Sequence, residues 1–173
     1  MIDGHNDFVL ARLPPDVDAS DFDIQPANTE SVQLLVREDH PLADVGEVAL
    51  GDLDGYPWVI QTHRAPIRDA VESAFQGAGA KLPENITNTT SLLVMIAILA
   101  TSTAIAPMAS EVSSLLLGRQ VGARLRVLQL HEPIVMSPYY LLQMRGRRLS
   151  PLASRLKSLV AGELIATGQP LSG

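Results

Sequence analysis

The stretch Ile86–Met108, ITNTTSLLVMIAILATSTAIAPM, decides the fold of this chain. It opens with a short β-favouring run, passes through three hydroxyl residues into a continuous apolar run, and closes with a second β-favouring run that ends at Pro107. This order predicts a strand, a helix and a second strand, with the hydroxyl residues at the helix N-cap, where Ser and Thr are preferred. Because the apolar run leaves no polar face, we expect the helix to be buried on most sides.

The hydroxyl residues before this helix, Thr89, Thr90 and Ser91, allow two interpretations. In the first they cap a core helix and have no further role. In the second they line a ligand site, because a helix N-terminus presents free N–H groups and a partial positive charge that suits an anion. The residues by themselves leave both interpretations open.

The composition is that of a globular protein, since 46% of the 173 residues are hydrophobic and 18% are charged. The formal net charge of −6 argues against a nucleic-acid-binding surface on this part of the protein. The chain has no cysteine, which excludes disulfide bonds, zinc–thiolate sites and a cysteine nucleophile.

Neither a signal peptide nor a membrane span is predicted. The first residues, MIDGHNDFVLARL, contain no basic region followed by an apolar segment, so we expect the protein in the cytoplasm. No charged residue falls between Glu84 and Glu111, but the polar residues Thr101–Thr103 and then Pro107 interrupt this segment. Its unbroken apolar run is far shorter than the ~20 residues that a bilayer requires.

Strands are predicted to alternate with helices across Tyr56–Leu130. Within it, Pro66–Gly77 has apolar residues at helical spacing and a proline at the first helical position. Leu149–Ile165 is predicted as the last helix, with Ser150 as its N-cap and Pro151 at the first position. The alternation predicts an α/β fold with a parallel or mixed sheet and helices on its faces.

The sequence carries no motif for catalysis or cofactor binding. GxSxG, the P-loop, GxGxxG and HExxH are all absent, and His5, His40, His63 and His131 have no metal-ligand spacing. His40 is interpreted as a structural turn residue, because no motif places a nucleophile or a carboxylate beside it. We therefore predict no catalytic residue, no metal, no cofactor and no enzymatic activity.

Several segments, taken together, resemble the effector-binding domain of LysR-type bacterial transcription regulators. A strand ending in His40–Ala43, HPLA, is followed by Asp52–Ile60, DLDGYPWVI. Further matches are Asp7–Leu10, DFVL, then Ala104–Pro107, AIAP, and Leu149–Pro151, LSP. These matches occur in the family's order with compatible spacing, so the resemblance covers nearly the whole chain.

The resemblance implies an α/β fold of the two-lobe type 2 periplasmic-binding-protein-like kind, with an effector between the lobes. Residues 1–38 and 146–173 would form lobe I, and residues 39–145 would form lobe II. The chain would cross between lobes along Gln33–Glu38 and Tyr139–Met144. Lobe I would be incomplete at its N-terminal end, because the strand, helix and strand that open the family's domain are missing, as is the helix-turn-helix.

The resemblance also implies an effector site lined by both lobes. The predicted effector-binding residues are Arg12, Thr62, His63, Thr89, Thr90, Ser91 and Pro107. Arg64 or Arg68 is a further candidate to pair with a carboxylate. Plainer interpretations stay open: Thr62 and His63 in an ordinary polar loop, Arg12 as a surface charge, and Pro107 as the close of a buried strand.

The function that the resemblance implies is a small-molecule sensor that regulates transcription. The effector would be a sugar, a sugar acid or an aromatic acid, and the protein would form a homo-oligomer. DNA would be bound only through an N-terminal domain that this chain lacks. The alternative with the same fold is the solute-binding protein of a transporter.

Overall fold

The computed structural model describes residues 6–13, 20–27, 30–119 and 121–166. His5 lies outside the described residues. The described residues form nine strands, four α-helices and one 3₁₀ helix. The strands are β1 (Val9–Arg12), β2 (Phe22–Pro26), β3 (Ser31–Arg37), β4 (Trp58–Ile60), β5 (Ile86–Asn88), β6 (Ala106–Ala109), β7 (Leu125–Val127), β8 (Ile134–Val135) and β9 (Tyr139–Met144). The helices are α1 (Pro66–Gly77), α2 (Leu92–Thr101), α3 (Ser110–Leu117) and α4 (Pro151–Ala166), and the 3₁₀ helix is Leu50–Leu53.

The chain divides into two compact units. The first unit takes its described residues from Met1–Thr29 and Ser137–Gly173, and the second takes its own from Glu30–Met136. Strands β3 and β9 contain the segments predicted to cross between lobes; β3 pairs with strands of the second unit and β9 with strands of the first, and the crossing segments stay a prediction. The lobe boundaries predicted after residues 38 and 145 lie further along the chain than the boundaries of the units.

The second unit contains an antiparallel sheet around β3 and a parallel pair of strands. Strand β3 pairs antiparallel with β6 on one side and with β7 and β8 on the other. Strands β4 and β5 pair with each other in parallel, with Trp58 opposite Ile86 and Ile60 opposite Asn88. A parallel bridge from Trp58 to Ile105 joins this pair to the segment that leads into β6.

The alternating side chains of β4 supply two hydrophobic clusters on opposite faces of the sheet. Trp58 and Ile60 pack in one cluster with α1, whose buried face includes Phe75. Val59 packs in the other with Met95 and Leu99 of α2. Because successive residues of a strand point to opposite faces, a strand that is buried on both faces has to be apolar throughout.

Helix α2 is less buried than its sequence predicts. Among its residues, Met95 and Leu99 are buried, while Leu92, Leu93 and Val94 are 42%, 77% and 45% exposed. The prediction of burial on most sides is therefore wrong for the described part of the chain. The physical reason is that the helix packs one i, i+4 stripe against β3 and β4, and no described element covers its other side.

The first unit is a three-stranded antiparallel sheet with the last helix. Strand β9 lies between β1 and β2. The Oγ atom of Ser150 accepts a hydrogen bond from the N–H of Ala153 at 3.1 Å, which confirms Ser150 as the cap of α4. Leu152, Leu156 and Leu159 of α4 are exposed. None of the helices in the described part of the chain is long and apolar enough to cross a membrane.

His40 is a buried structural residue of the second unit. Its Nε2 lies 3.2 Å from the carbonyl oxygen of Thr103, and its Nδ1 accepts a hydrogen bond from the N–H of Leu42 at 3.1 Å. The ring also lies 4.8 Å from that of Tyr56. These contacts require the neutral ring with its proton on Nε2. Burial lowers the pKa of His40 below its usual 6.5, against the opposing effect of the Thr103 carbonyl.

We expect His40 to make folding stability depend on pH. Because the folded pKa lies below the unfolded pKa of 6.5, the unfolded state binds more protons between the two values, and stability falls as the pH drops below 6.5. The loss is at most about 1.4 kcal/mol per pH unit for one proton. Urea unfolding between pH 7 and pH 5 measures it.

The matched variants are His40→Gln and His131→Gln, since His131 is exposed. His40→Gln should flatten the pH profile in this range, and His131→Gln should leave it as in the parent chain. Equal profiles for the parent chain and His40→Gln would contradict the role of His40.

Candidate functional site

Two polar loops meet at one edge of the second unit's sheet. Because β4 and β5 are parallel and in register, the chain leaves both strands at the same edge. The N–H of Thr89 donates to the carbonyl oxygen of Ile60 at 3.0 Å, which holds the start of one loop against the end of the other strand. The loop after β4 carries Thr62 and His63, and the loop after β5 carries Thr89, Thr90 and Ser91.

The hydroxyl groups of the second loop divide into two kinds. Ser91 is the N-cap of α2, and its Oγ accepts from the N–H of Val94 at 3.4 Å. The Oγ1 of Thr89 accepts from the N–H of Ser91 at 3.1 Å. Thr90 is exposed, and its side chain makes no hydrogen bond to another described residue. Thr89 and Ser91 therefore shape the start of the helix, while the Thr90 hydroxyl remains available to a ligand.

The first loop leads into a helix without a side-chain cap. Helix α1 begins at Pro66, and its N-cap, Ala65, has no side chain that accepts a hydrogen bond. Thr62 is exposed, and its hydroxyl makes no hydrogen bond within the described residues. The loop thus offers a free hydroxyl beside the positive end of a helix dipole, an arrangement that favours an anion or a polar oxygen.

Arg68 of α1 connects β5 and the loop after β4 to the helix. Its guanidinium is buried, with Nη1 donating to Oδ1 of Asn88 at 2.8 Å and to the carbonyl oxygen of Gln61 at 3.4 Å. Its Nε donates to Glu72 Oε1 at 2.6 Å. The suggestion that Arg68 pairs with a ligand carboxylate is therefore replaced by a positioning role. In the sequence, this ion pair is indicated by the i, i+4 spacing of Arg68 and Glu72.

His63 and Arg64 are exposed side chains of the first loop. His63 Nδ1 lies 4.0 Å from Glu72 Oε1. Arg64 has a φ of +68°, a left-handed conformation that is rare for a residue with a side chain. Such backbone strain occurs most often at functional sites.

The two remaining predicted residues lie elsewhere. Arg12 belongs to the first unit, where its guanidinium carbon lies 3.9 Å from the centre of the Tyr139 ring, a cation–π contact. Pro107 was expected at the end of a strand, facing the cleft. It is instead the second residue of β6, opposite Leu34, and it is buried.

Comparison with known proteins now defines the family. The model of the family described as "LysR substrate binding domain" matches residues 1–164. The chain therefore belongs to the LysR substrate binding domain family, and its function is that of an effector-binding domain of LysR-type transcriptional regulators.

Similar proteins agree with this assignment. The HTH-type transcriptional regulator GbpR of Rhizobium radiobacter is 36% identical over 120 residues, which cover 69% of this chain and 40% of that protein. The regulatory domain of Synechocystis PCC6803 CcmR, solved in complex with 2-PG, has a TM-score of 0.74 at 19% identity and covers 99% of this chain and 77% of its own. The effector binding domain of QuiR, solved with shikimate, has a TM-score of 0.69 at 18% identity. The match covers 94% of this chain and 74% of the QuiR chain.

These findings confirm the predicted family and the type 2 periplasmic-binding-protein-like fold. The alternative of a transporter's solute-binding protein receives no support, since the matched relatives are named as transcriptional regulators. The chain spans about two fifths of the length of the curated relatives it matches.

Replacing Arg64 by glycine should stabilise the second unit. Glycine adopts a positive φ without the clash of a Cβ atom, and the relief exceeds the entropy that glycine loses on folding. We expect Arg64→Gly to raise the free energy of unfolding by about 0.5–1 kcal/mol in urea titrations.

The control is the opposite change at a second position of positive φ. Gly55 has a φ of +82°, and a Cβ added there would meet nothing within 4 Å, so its cost is purely conformational. Gly55→Ala should lower stability by about the amount that Arg64→Gly adds. A loss of stability in Arg64→Gly would show that the Arg64 side chain makes a stabilising contact larger than the strain.

Proposed function

We propose that the effector of this domain is a small hydroxylated acid, such as a sugar acid, bound where the loops after β4 and β5 meet. The observation that carries the proposal is a pair of free hydroxyls on the two loops that meet, Thr62 ahead of the uncapped start of α1 and Thr90 ahead of α2. A carboxylate suits the helix terminus, and hydroxyl groups of the effector suit the threonines. Shikimate, the compound in the QuiR structure, is an acid of this kind.

The predicted site residues take different roles in this proposal. Thr62, Thr90 and His63 contact the effector, while Thr89 and Ser91 hold the start of α2 through their hydrogen bonds. Arg12 stays a predicted effector-binding residue. Pro107 is proposed to act through packing, because its side chain is buried.

The proposed mechanism is a shift of population. An effector that binds one conformation of the domain more tightly than another moves the equilibrium towards the first. A differential affinity of about 1–3 kcal/mol corresponds to a change of about 5- to 150-fold, which is enough for regulation. We propose that the domain acts by binding and not by catalysis, as part of a cytoplasmic regulator that contacts DNA through a helix-turn-helix.

Removing the Thr90 hydroxyl should weaken effector binding. Thr90→Val keeps the branched shape of the side chain and deletes one hydrogen-bonding group. We expect gluconate or shikimate to bind the parent chain and to bind Thr90→Val about fivefold to tenfold more weakly, the effect of one hydrogen bond. Isothermal titration calorimetry measures both affinities. Glucose, an uncharged sugar, and benzoate, an aromatic acid, are titrated as comparison compounds.

The matched control is Thr87→Val, the same change at an exposed threonine within β5. It should leave the affinity as in the parent chain. Equal losses in the two variants would contradict a direct contact by Thr90. If none of the four compounds binds, or if benzoate alone binds, the proposed effector class is wrong.

We also propose that the protein is a homo-oligomer and that the exposed side of α2 forms part of the contact. The side consists of Leu92, Leu93, Val94 and Ala97. Contiguous exposed apolar surface of this kind marks interaction sites in water-soluble proteins. Its position on a rigid helix suits packing against a second copy of the chain.

A charge on this side of α2 should weaken self-association. Val94 and Val45 are 45% and 50% exposed, so the same substitution at both positions forms a matched pair. Val94→Glu should raise the dissociation constant at least about tenfold, because it places an unpaired carboxylate in an apolar contact. Val45→Glu should leave it unchanged. Sedimentation equilibrium measures both, and an equal effect of the two changes, or a monomeric parent chain, would contradict the proposal.

A further inference from the structure

The second unit contains a cavity of about 320 Å³ between α1 and the β4–β5 pair. Most of its wall is apolar and is formed by Trp58, Ile60, Val71, Leu82, Pro83 and Ile86. The other residues of the wall are His63, Arg68 and Glu72, whereas Thr62 and Thr90 do not belong to it. The cavity is therefore separate from the paired hydroxyls that define the candidate effector site.

One nitrogen of the Arg68 guanidinium has no partner among the described residues. The side chain is only 7% exposed. Of the five N–H donors that a guanidinium carries, the Nε–H donates to Glu72, and Nη1 donates to Asn88 and Gln61. Nη2 donates to no residue that the structure describes, yet it is not one of the polar atoms that are both buried and unpaired. Nη2 can therefore be reached by a small molecule.

The planar geometry of the guanidinium directs Nη2 towards the cavity. One N–H bond of Nη2 is parallel to the Nε–H bond, because these two nitrogens form one edge of the plane. The Nε–H bond points at Glu72 of the cavity wall, at 2.6 Å. Nη1 faces Asn88 and Gln61, which lie outside the wall. The free donor thus lies on the edge of the guanidinium that faces the cavity.

An unpaired acceptor belongs to the same ion pair. Glu72 Oε1 accepts from Arg68 and lies 4.0 Å from Nδ1 of His63, while Oε2 accepts no hydrogen bond from another described residue. The Glu72 side chain is 34% exposed. The polar part of the wall therefore offers a donor nitrogen and an acceptor oxygen. A hydroxyl group can accept from the first and donate to the second.

The ion pair disfavours charged ligands. Arg68 and Glu72 neutralise each other across 2.6 Å. An anion that binds Nη2 approaches the Glu72 carboxylate, and a cation that binds Oε2 approaches the guanidinium. Either charge also loses its hydration in a mostly apolar space. A neutral polar group avoids both costs.

We propose that this cavity is a second ligand site, for an uncharged ring compound that carries a hydroxyl group, such as a cyclic alcohol. The hydroxyl oxygen accepts from Arg68 Nη2, the hydroxyl hydrogen is donated to Glu72 Oε2, and the ring packs against the apolar wall. An apolar cavity of about 150 Å³ holds one benzene molecule, so this one has room for a substituted ring. An apolar wall with a few polar groups is the usual composition of small-molecule pockets.

Four probes that share a ring test the chemistry of the ligand: cyclohexanol, cyclohexanone, cyclohexanecarboxylate and cyclohexylammonium. Trp58 lies in the wall and is the single Trp of the chain, so its one indole N–H signal in a ¹⁵N correlation spectrum reports occupancy. Cyclohexanol should shift this signal saturably. The ketone, which cannot donate to Glu72, and the two ions should bind at least about fivefold more weakly, the effect of one hydrogen bond. No saturable shift with cyclohexanol, or equal or tighter binding of another probe, would overturn the proposal.

Two variants with the same change test the location. Leu82 lies in the wall of the cavity and Leu115 lies on α3, and both are exposed. Leu82→Phe places a ring in the space that the ligand occupies and should weaken cyclohexanol binding at least about fivefold, while Leu115→Phe should preserve it. Equal affinities in the two variants would place the alcohol elsewhere and overturn the proposal.

Glu72→Gln tests the polar anchor. It keeps the shape of the side chain and an oxygen for Arg68 but removes the charge that neutralises the guanidinium. The affinity for cyclohexanecarboxylate, relative to that for cyclohexanol, should rise at least about fivefold, because a charge-assisted hydrogen bond to Nη2 no longer faces a carboxylate. The matched control is Glu111→Gln, at an exposed position of α3, which should leave this ratio unchanged.

An unchanged ratio in Glu72→Gln would overturn the assigned anchor. If this variant does not fold, the four probes and the pair at positions 82 and 115 decide the question. Gluconate and shikimate binding is measured separately on the parent chain and Thr90→Val, so failure of this proposal and failure of the effector proposal have different signatures.

Discussion

The parallel pairing of β4 with β5 is the contact on which the candidate site depends. It places Ile60 opposite Asn88, so the residues that follow each strand emerge side by side. The hydrogen bond from the Thr89 N–H to the Ile60 carbonyl extends the pairing by one residue into the loop. Two helices start from this edge, and their N-termini supply a positive potential that favours the polar or anionic effector proposed above.

Arg68 adds a second constraint to the same edge. A buried guanidinium needs an ion pair and hydrogen bonds to offset its lost hydration, and here Glu72, Asn88 and the Gln61 carbonyl accept from its Nε and Nη1. These partners come from α1, from β5 and from the loop after β4. Arg68 and Glu72 also line a cavity of about 320 Å³ between α1 and the β4–β5 pair, so the ion pair that positions the loops is also part of the neighbouring pocket.

The order of the secondary structure and the family were predictable from the sequence. The hydroxyl cluster before the apolar run of α2, the proline at the start of α1 and the Ser150-Pro151 start of α4 are local signals, because capping and φ restriction act within a few residues. The resemblance to the family placed Thr62 and Thr89 at one site, and the parallel pairing of β4 and β5 explains why their loops meet.

What the sequence determined by itself was which segments form strands and helices, and that the chain belongs to the LysR substrate binding domain family. The tertiary structure decided which side of α2 is covered, which hydroxyls are free, and that Arg68 is an internal bridge. These properties depend on contacts between residues far apart in the chain: Arg68 and Asn88 are separated by 20 positions, and His40 and Thr103 by 63. Local patterns report propensity, whereas burial and hydrogen-bond satisfaction depend on neighbours that folding brings together.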